Sequence, residues 1–376
     1  MQGFAAFSMS DHKNVIVVGG GPAGLAAALA LRARNFRVTV VDAARPPIEK
    51  VCGEGLLPET LEALRAIGVN TSKLPGIPFR GVRYIGHNKR VAAKFPGENA
   101  LGIRRSELQQ SLSAAAMDAG AEFLWQTHVL GLEEDGVRVA GRTLRARWII
   151  GADGQASRMR TWAGFQDRSS SHQRFAFRRH YRVEPWTDFL EVYWSARGQA
   201  YVTIVGANEI CVVVMSHDEK LRMPDLQRDF PELAQRLSSA TAIDKERGAV
   251  SRNKILQSVT RGNVALVGDA SGTVDAITGE GLGLAFRQVH ALADAFASGD
   301  LNLYEAAHRQ LRRKSQLMSG LLLAMSRSEF LQRRVIEVSA ARPRLFERFL
   351  AAHAGKGSAV EVAQAGLRLG WNLLTV

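Results

Sequence analysis

The chain has 376 residues, 46% hydrophobic and 23% charged, which excludes a disordered chain and allows one or two domains with a sizeable core. The formal charge of +13 would suit nucleic acid, an anionic surface or an anionic ligand. No zinc-finger spacing, RNA-binding aromatic motif or basic zipper accompanies it, so nucleic acid is not an expected partner.

Two cysteines, Cys52 and Cys211, make neither a disulfide framework nor a four-ligand metal site. No metal is expected, and a reducing, cytoplasmic location fits. The opening MQGFAAFSMSDHK lacks the build of a secretory signal, and Met9 is an alternative start. The apolar patch Leu321–Met325 is far short of the ~20 residues of a membrane helix.

In chain order, Val15–Val18 is a β-branched run of the kind found in buried parallel strands. Pro22 suits a first helical turn, Ala23 to Ala33 is helix-forming, and Arg37–Val41 reads as the next strand. Between strand and helix stands Gly19-x-Gly21-x-x-Gly24. Gly19 permits the tight turn, Gly21 lets a pyrophosphate approach, and Gly24 lets the helix pack against the sheet. Asp42 follows about 20 residues on, where a carboxylate accepts ribose hydroxyls. This is a dinucleotide fingerprint, and by itself it does not separate NAD from FAD.

Ile103–Leu108 opens a helix running to Met117. Glu122–Trp125, Val129–Glu133, Val137–Ala140 and Thr143–Ile150 read as a β-meander with a turn at Asp135-Gly136. The last strand enters Gly151-Ala-Asp153-Gly154, followed by Ser157 and Arg158. Residues 169–250 have strand character without helix punctuation. In Gln173–Val183, Phe175, Phe177, Arg179 and Tyr181 share one face, and Arg174, Arg178, His180 and Arg182 share the other. The charged face reads as solvated or as an anion site. Glu191–Trp194, Ala200–Val205 and Ile210–Met215 are further strands. The segment NVALVGDASGTVDAITGEGLG then takes a strand through Gly268-Asp269 to a helix, Leu282 to Ala297. The remainder reads as helical and in places basic and amphipathic. Packing on the nucleotide domain is expected for it, with weak membrane-surface contact as the other reading.

Four ordered motifs now carry a resemblance: the glycine fingerprint, Arg105 before the Ser-x-Leu helix, GADGxxSxxR, and GDAxG with GxG. The chain resembles the flavoprotein hydroxylases of the para-hydroxybenzoate hydroxylase type (group A flavin monooxygenases) and their geranylgeranyl reductase relatives. The resemblance implies an α/β fold: a Rossmann-type, glutathione-reductase-like FAD-binding domain with an inserted antiparallel β-sheet substrate domain and a helical C-terminus. The expected boundaries are 11–70, 100–168 and 251–300 for the FAD-binding domain, 71–99 and 169–250 for the substrate sheet, and 301–376 for the helical region.

It assigns FAD to Gly19, Gly21, Pro22, Ala23, Gly24, Asp42, Ala43, Arg45, Gly53, Arg105, Asp153, Gly268, Asp269, Gly279, Gly281 and Leu282. Asp153 also reads as a turn cap, Arg105 as a solvated arginine, and Asp269 as a helix cap. Cys52 reads either as a thiol beside the flavin or as a small apolar filler, and His180 is a candidate base. Cys211 reads as a buried strand cysteine, and Glu54 as a solvated loop acid. Phe177, Arg179, Tyr193 and Tyr201 are the substrate candidates, on a sheet face that roofs the flavin.

The implied activity is hydroxylation of an apolar or aromatic small molecule with O2 and NAD(P)H. Only one fingerprint occurs, so NAD(P)H meets the flavin transiently or a separate reductase donates the electrons. The second reading is flavin-dependent C=C reduction, with an acid such as Cys52. Gly272 and Ala276 stand where several hydroxylases carry histidine and proline, and Val51–Gly55 resembles a reductase segment. The reductases' tyrosine–tryptophan–proline signature is matched only by Tyr193 and Trp194. A non-catalytic escort protein is the third reading.

Overall fold

The computed structural model describes residues 13–353, the side chains of 168–172 excepted. Met9, residues 11–12 of the first expected domain and residues 354–376 of the expected helical region lie outside the described residues.

The β-branched runs build a six-stranded sheet in the order Thr260–Arg261, Val264–Leu266, Trp148–Gly151, Asn14–Val18, Arg37–Val41, Glu122–Leu124. All pairs are parallel except the Thr260–Arg261 edge. Apolar residues on both faces suit this arrangement: Val15 to Val18 are buried throughout. The helix Pro22–Arg32 packs against the sheet and is flanked by the helices Arg105–Asp118 and Gly281–Ser298. In register, the strand ends set Gly19, Ala152 and Gly268 side by side, since Ala152 N–H donates to Val18 O and Val267 N–H to Gly151 O.

Two expectations here need correction. Glu122–Leu124 is not the first arm of the meander. It joins the parallel sheet, with Val40 opposite Phe123, and Phe123 stacks on Trp125 at 5.0 Å. Thr143–Ile150 is also two strands. Arg142–Arg145 closes the three-stranded antiparallel sheet with Gly131–Glu133 and Gly136–Val139, and Trp148–Gly151 enters the main sheet. Ala146, buried and bonded to Asp135 O, makes the break.

The second sheet runs Thr241–Ala242, Asp167–Arg182, Glu209–Ser216, Gly198–Gly206, Leu190–Ser195, Gly81–Gly86, Lys89–Lys94, and Arg247–Leu256 also pairs with Asp167–Arg182. It is mixed, not wholly antiparallel: Gly81–Gly86 lies parallel to Leu190–Ser195. The stretch 169–250 also contains helices, Leu226–Asp229 and Pro231–Arg236. Leu226, Phe230 and Leu233 cover one face of the sheet, where Phe177, Tyr181, Tyr193 and Val212 are buried. That face is the outer one. The inner face carries Ala176, Tyr201, Val213 and Met215.

The C-terminal helices depart from expectation as well. Leu301–Arg327 starts on the nucleotide layer, where Tyr304 is buried in its core. Its second half, with Glu329–Ala341 and Pro343–His353, packs on the second sheet: Leu322, Ile336, Phe346 and Leu350 cluster with Tyr84 and Trp194. Among the described residues, no helix is long and apolar enough to cross a membrane.

Candidate active site

A cavity of about 670 Å³ opens between the two sheets, inside the range of roughly 300–1,000 Å³ usual for small-molecule sites. Its polar end is built by the carboxyl ends of the parallel strands: Gly19, Gly21, Asp42, Asp153 and Asp269 line it, with Lys50 and Arg105. Its other end is apolar, lined by Leu57, Val82, Tyr84, Val192, Met215 and Phe346. The segment Lys50–Leu57 spans the two ends.

The glycine loop is shaped by contact and by space. A Cβ on Gly24 would run into the Gly19 carbonyl oxygen, so this glycine makes the helix–strand contact and lies outside the lining. A Cβ on Gly21, Gly53, Gly279 or Gly281 would meet nothing within 4 Å, and all four line the cavity. The helices Pro22–Arg32 and Gly281–Ser298 both start there without a side-chain cap. Their first N–H groups and positive dipole ends are left for an anion or a polarised ring. A glycine cradle and two uncapped helix starts on one cavity fit an extended flavin dinucleotide.

The carboxylates of the polar end are already engaged. Asp42 accepts the N–H groups of Gly20 (2.6 Å) and Ala44 (2.8 Å), holding the loop. Asp153 accepts from Ser157 Oγ and from the Arg158 and Met159 amides, so its side chain caps the next helix while its residue borders the cavity. Asp269 pairs with Lys50 Nζ at 2.8 Å. Pro22, Ala23, Gly268 and Leu282 also line the cavity, whereas Ala43 and Arg45 are exposed outside it.

Cys52 lines the middle of the cavity, where its Sγ accepts the Glu54 amide at 3.4 Å and faces Arg105 Nη1 at 3.9 Å. Glu54, expected in solvent, is only 2% exposed. Its Oε1 accepts Arg178 Nη1 (3.2 Å) and the Arg105 amide (3.0 Å), and its Oε2 pairs with His180 Nε2 at 2.7 Å. Asp244 takes the other His180 nitrogen at 2.7 Å, and Arg178 also reaches Glu49 at 3.0 Å.

On the charged face of this strand Arg174, Arg178 and His180 are therefore buried and paired, whereas Arg182 at its end is exposed, as the solvated reading expects. His180 is 1% exposed and stands behind Glu54, away from the cavity lining, so it positions Glu54 and does not reach a substrate. Burial opposes charging His180, but the Glu54 and Asp244 carboxylates outweigh it and raise its pKa. Burial likewise pushes Glu54 up, and His180, the Arg105 amide and Arg178 more than reverse it, holding the acid below its usual range. Glu54, His180 and Cys211 bring ligand atoms within 4.8 Å of one another. Both Glu54 oxygens are already taken, and Arg178 supplies the positive charge a cation would bring.

Of the substrate candidates only Tyr201 lines the cavity, with its hydroxyl on Ile277 O at 3.2 Å. Phe177 lies on the outer face under the Arg222 guanidinium (3.9 Å), Arg179 shares that face, and Tyr193 donates to Glu191 at 2.7 Å. The alternation of the strands gave two faces, and the unforeseen helices at 226–236 decided which was outside.

Sequence reasoning missed Gln109, Lys50, Glu280 and His353, all in the lining. Gln109 bridges the glycine loop (Gly20 O, 2.8 Å) and the Ile48 amide (2.6 Å). It lies one helical turn after Arg105, a spacing that places both on one face.

Fold and cavity together define a Rossmann-type dinucleotide-dependent oxidoreductase. The chain belongs to the family described as FAD binding domain, which matches residues 12–309. Menaquinone reductase of Mycolicibacterium smegmatis is 27% identical over 333 residues, 80% of this chain and 80% of that one. Digeranylgeranylglycerophospholipid reductase of Thermoplasma volcanium is 27% identical over 296 residues, 72% of this chain and 74% of that one. In fold, a flavoprotein/dehydrogenase from Cytophaga hutchinsonii superposes with a TM-score of 0.82 at 18% identity, over 96% of this chain and 98% of that one. The protein is an FAD-dependent oxidoreductase with reductases and hydroxylases among its named relatives, which sets aside the escort reading.

Two outcomes follow from this geometry. Gly21→Val keeps the apo fold, by circular dichroism, and loses FAD by at least about tenfold, since its side chain points into open cavity. Gly24→Val loses the fold itself. Separately, the stability His180 contributes is present below its unfolded pKa and is lost as pH rises through the raised folded value. His180→Gln is therefore less stable at pH 6 by about 1.5–3 kcal/mol and lacks the alkaline decline of the parent. The acid decline, set by the lowered pKa values of Glu54 and Asp244, shrinks as well, because His180 is the main group that lowers both, and Arg178 keeps the rest. Melting temperature against pH reads both limbs.

Proposed function

We propose that this enzyme reduces a carbon–carbon double bond of a hydrocarbon-chain substrate, with an isoprenoid lipid as the fitting class. The apolar end of the cavity carries the reading. The strand Gly81–Gly86, its neighbours in the second sheet and the helix Pro343–His353 line it with aliphatic and aromatic side chains. Each CH2 buried there contributes about 0.8 kcal/mol, so a chain binds through its tail. The similarity to reductases named for menaquinone and for a digeranylgeranylglycerophospholipid supports it. So do Gly272 and Ala276, which stand where several hydroxylases carry histidine and proline.

FAD, when bound and reduced, supplies a hydride equivalent. The chain's part is to bind, orient and keep the site dry. In this reading the backbone at Gly19, Gly21, Pro22 and Ala23 holds the diphosphate, aided by Arg105 and by Lys50 once released from Asp269. Asp42 keeps the glycine loop in shape and offers its remaining acceptor capacity to the ribose. Asp269 takes ribityl hydroxyls. Gly53 and Gly279–Leu282 border the ring, where the N-terminus of the Gly281–Ser298 helix stabilises negative charge. Electrons come from NAD(P)H in transient contact or from a separate donor protein, since one fingerprint serves the FAD.

With FAD reduced by dithionite under strict anaerobiosis, an isoprenoid lipid gains two hydrogens, read by mass spectrometry. No gain without oxygen, and an oxygen atom from labelled O2 in its presence, would overturn reduction in favour of hydroxylation. Asp269→Ala loses most of its FAD after gel filtration, read by flavin absorbance; full occupancy refutes the ribityl role.

A further inference from the structure

Six acids line the cavity among the described residues: Asp42, Glu54, Asp153, Asp269, Asp275 and Glu280. Five have both or one of their oxygens held by cations or N–H groups. Asp42 and Asp153 accept backbone amides, Glu54 holds Arg178 and His180, Asp269 holds Lys50, and Asp275 holds Arg174 at 2.9 Å and the Ile277 amide. Glu280 is the exception. It is 4% exposed, its Oε2 is buried without a hydrogen-bond partner, and its Oε1 lies 3.7 Å from His353 Nδ1.

We propose that Glu280 is the proton source of the cavity, recharged through His353. The inference rests on the double-bond reading above. The position of Glu280 suits that role, because it sits between Gly279 and Gly281, both facing open cavity, at the uncapped start of a helix. The tautomer of His353 follows from its partner. Nε2 lies 3.0 Å from the Thr278 carbonyl oxygen, which only accepts, so Nε2 carries the hydrogen. In the neutral ring, Nδ1 is then a buried lone pair without a hydrogen-bond partner, 3.7 Å from Glu280 Oε1, and complementary to a carboxyl O–H.

An ionised carboxylate with an unpartnered oxygen in such a wall is costly, and protonation relieves it. The surrounding charges are mixed. Burial and the Glu59 carboxylate of the helix Pro58–Ala66 hold the proton on. His353, Arg287 on Glu280's own helix and Ser315 of Leu301–Arg327 act against it, and the balance raises the pKa. Arg287 is itself engaged with Glu59 at 3.2 Å. Cys52 is less suited to giving a proton, because both neighbours of its sulfur are donors.

The step balances. One carbon of the double bond takes a hydride, with its electron pair, from FAD reduced by a nicotinamide or dithionite. The other carbon takes the Glu280 proton. The carboxylate left behind is reprotonated through His353: Nδ1 first takes a proton from water, giving the imidazolium, and then passes that proton to Glu280, which restores the neutral ring.

Glu280→Gln and His353→Gln holoenzymes test this by two readouts. Infrared spectra at pH 7 of the parent show a protonated-carboxyl C=O band that Glu280→Gln lacks; no such difference overturns the assignment whatever the substrate proves to be. Single-turnover reduction of an isoprenoid lipid falls about 100- to 10,000-fold in Glu280→Gln compared at equal FAD content. In His353→Gln the single-turnover rate is retained, and the multiple-turnover rate falls mainly at high pH, where recharging limits. Full single-turnover rates in Glu280→Gln overturn the proposal. A parent enzyme that reduces no double bond, while the Glu280-dependent band is present, defeats the double-bond reading and leaves the acid assigned.

Discussion

The buried ion cluster on Glu54 is what the site depends on. Glu54 stands at φ +60° in a loop between two sheets, a conformation that costs free energy for a residue with a side chain. It is held there by three groups from two places: Arg178 and His180 from the second sheet, and the Arg105 amide from a helix of the nucleotide layer. Thr203 adds a hydrogen bond to Gly53 O at 2.7 Å. The loop Cys52–Gly55 is thereby fixed to both layers, and with it the middle of the cavity wall. Removing one partner of such a buried pair leaves a charge uncompensated, at about 3–5 kcal/mol. The cluster is thus a structural requirement before it has any chemical part to play.

From that clamp the two chemistries of the cavity follow. On one side, parallel strands end in glycines and short turns, and uncapped helix starts give N–H groups without adding charge. On the other, the inner face of the second sheet needs an apolar surface, and the last helix closes over it with Phe346 and Leu350. Tyr84 meets Phe346 edge-on at 4.9 Å. The charged residues of the inner face, Arg174, Arg178 and His180, are paired with acids. The apolar end of the cavity can therefore adjoin its glycine-lined polar end, because among the described residues the sheet's arginines nearest it are paired with acids.

The nucleotide half was legible in the sequence because its signals are local. Gly19 to Asp42 encodes strand, turn, helix and strand within one continuous stretch, and the loops at Asp153 and Asp269 repeat the strand-then-glycine pattern. The second half was not legible, because its decisive contacts are distant. Alternation in Gln173–Val183 separates Phe177 from Arg178 but does not say which faces the cavity. That depends on the helices Leu226–Arg236 covering the apolar side and on Glu49, Glu54 and Asp244 neutralising the other. Phe346 and His353 gave no signal, since an amphipathic helix packs in the same way on any apolar surface. Gln109 was within reach, one turn beyond Arg105, but amides carry no motif of their own.

Glu54 and Glu280 show how environment alone separates two like groups. Both are buried glutamates preceded and followed by glycine, both border the same cavity, and burial pushes both toward the neutral form. Glu54 meets a guanidinium, an imidazole and an amide within hydrogen-bond distance, and stays ionised. Glu280 meets one histidine at 3.7 Å, whose own hydrogen is held by a carbonyl, with the Glu59 carboxylate, Arg287 and the Ser315 hydroxyl around it, and burial with Glu59 prevails. Acid and anion are thus set apart within one site without any change of residue type, the arrangement from which proton-transfer roles are assigned elsewhere. Glu54 in the fixed loop thus carries a charge held by its partners, while Glu280, on the proposal above, carries the transferable proton.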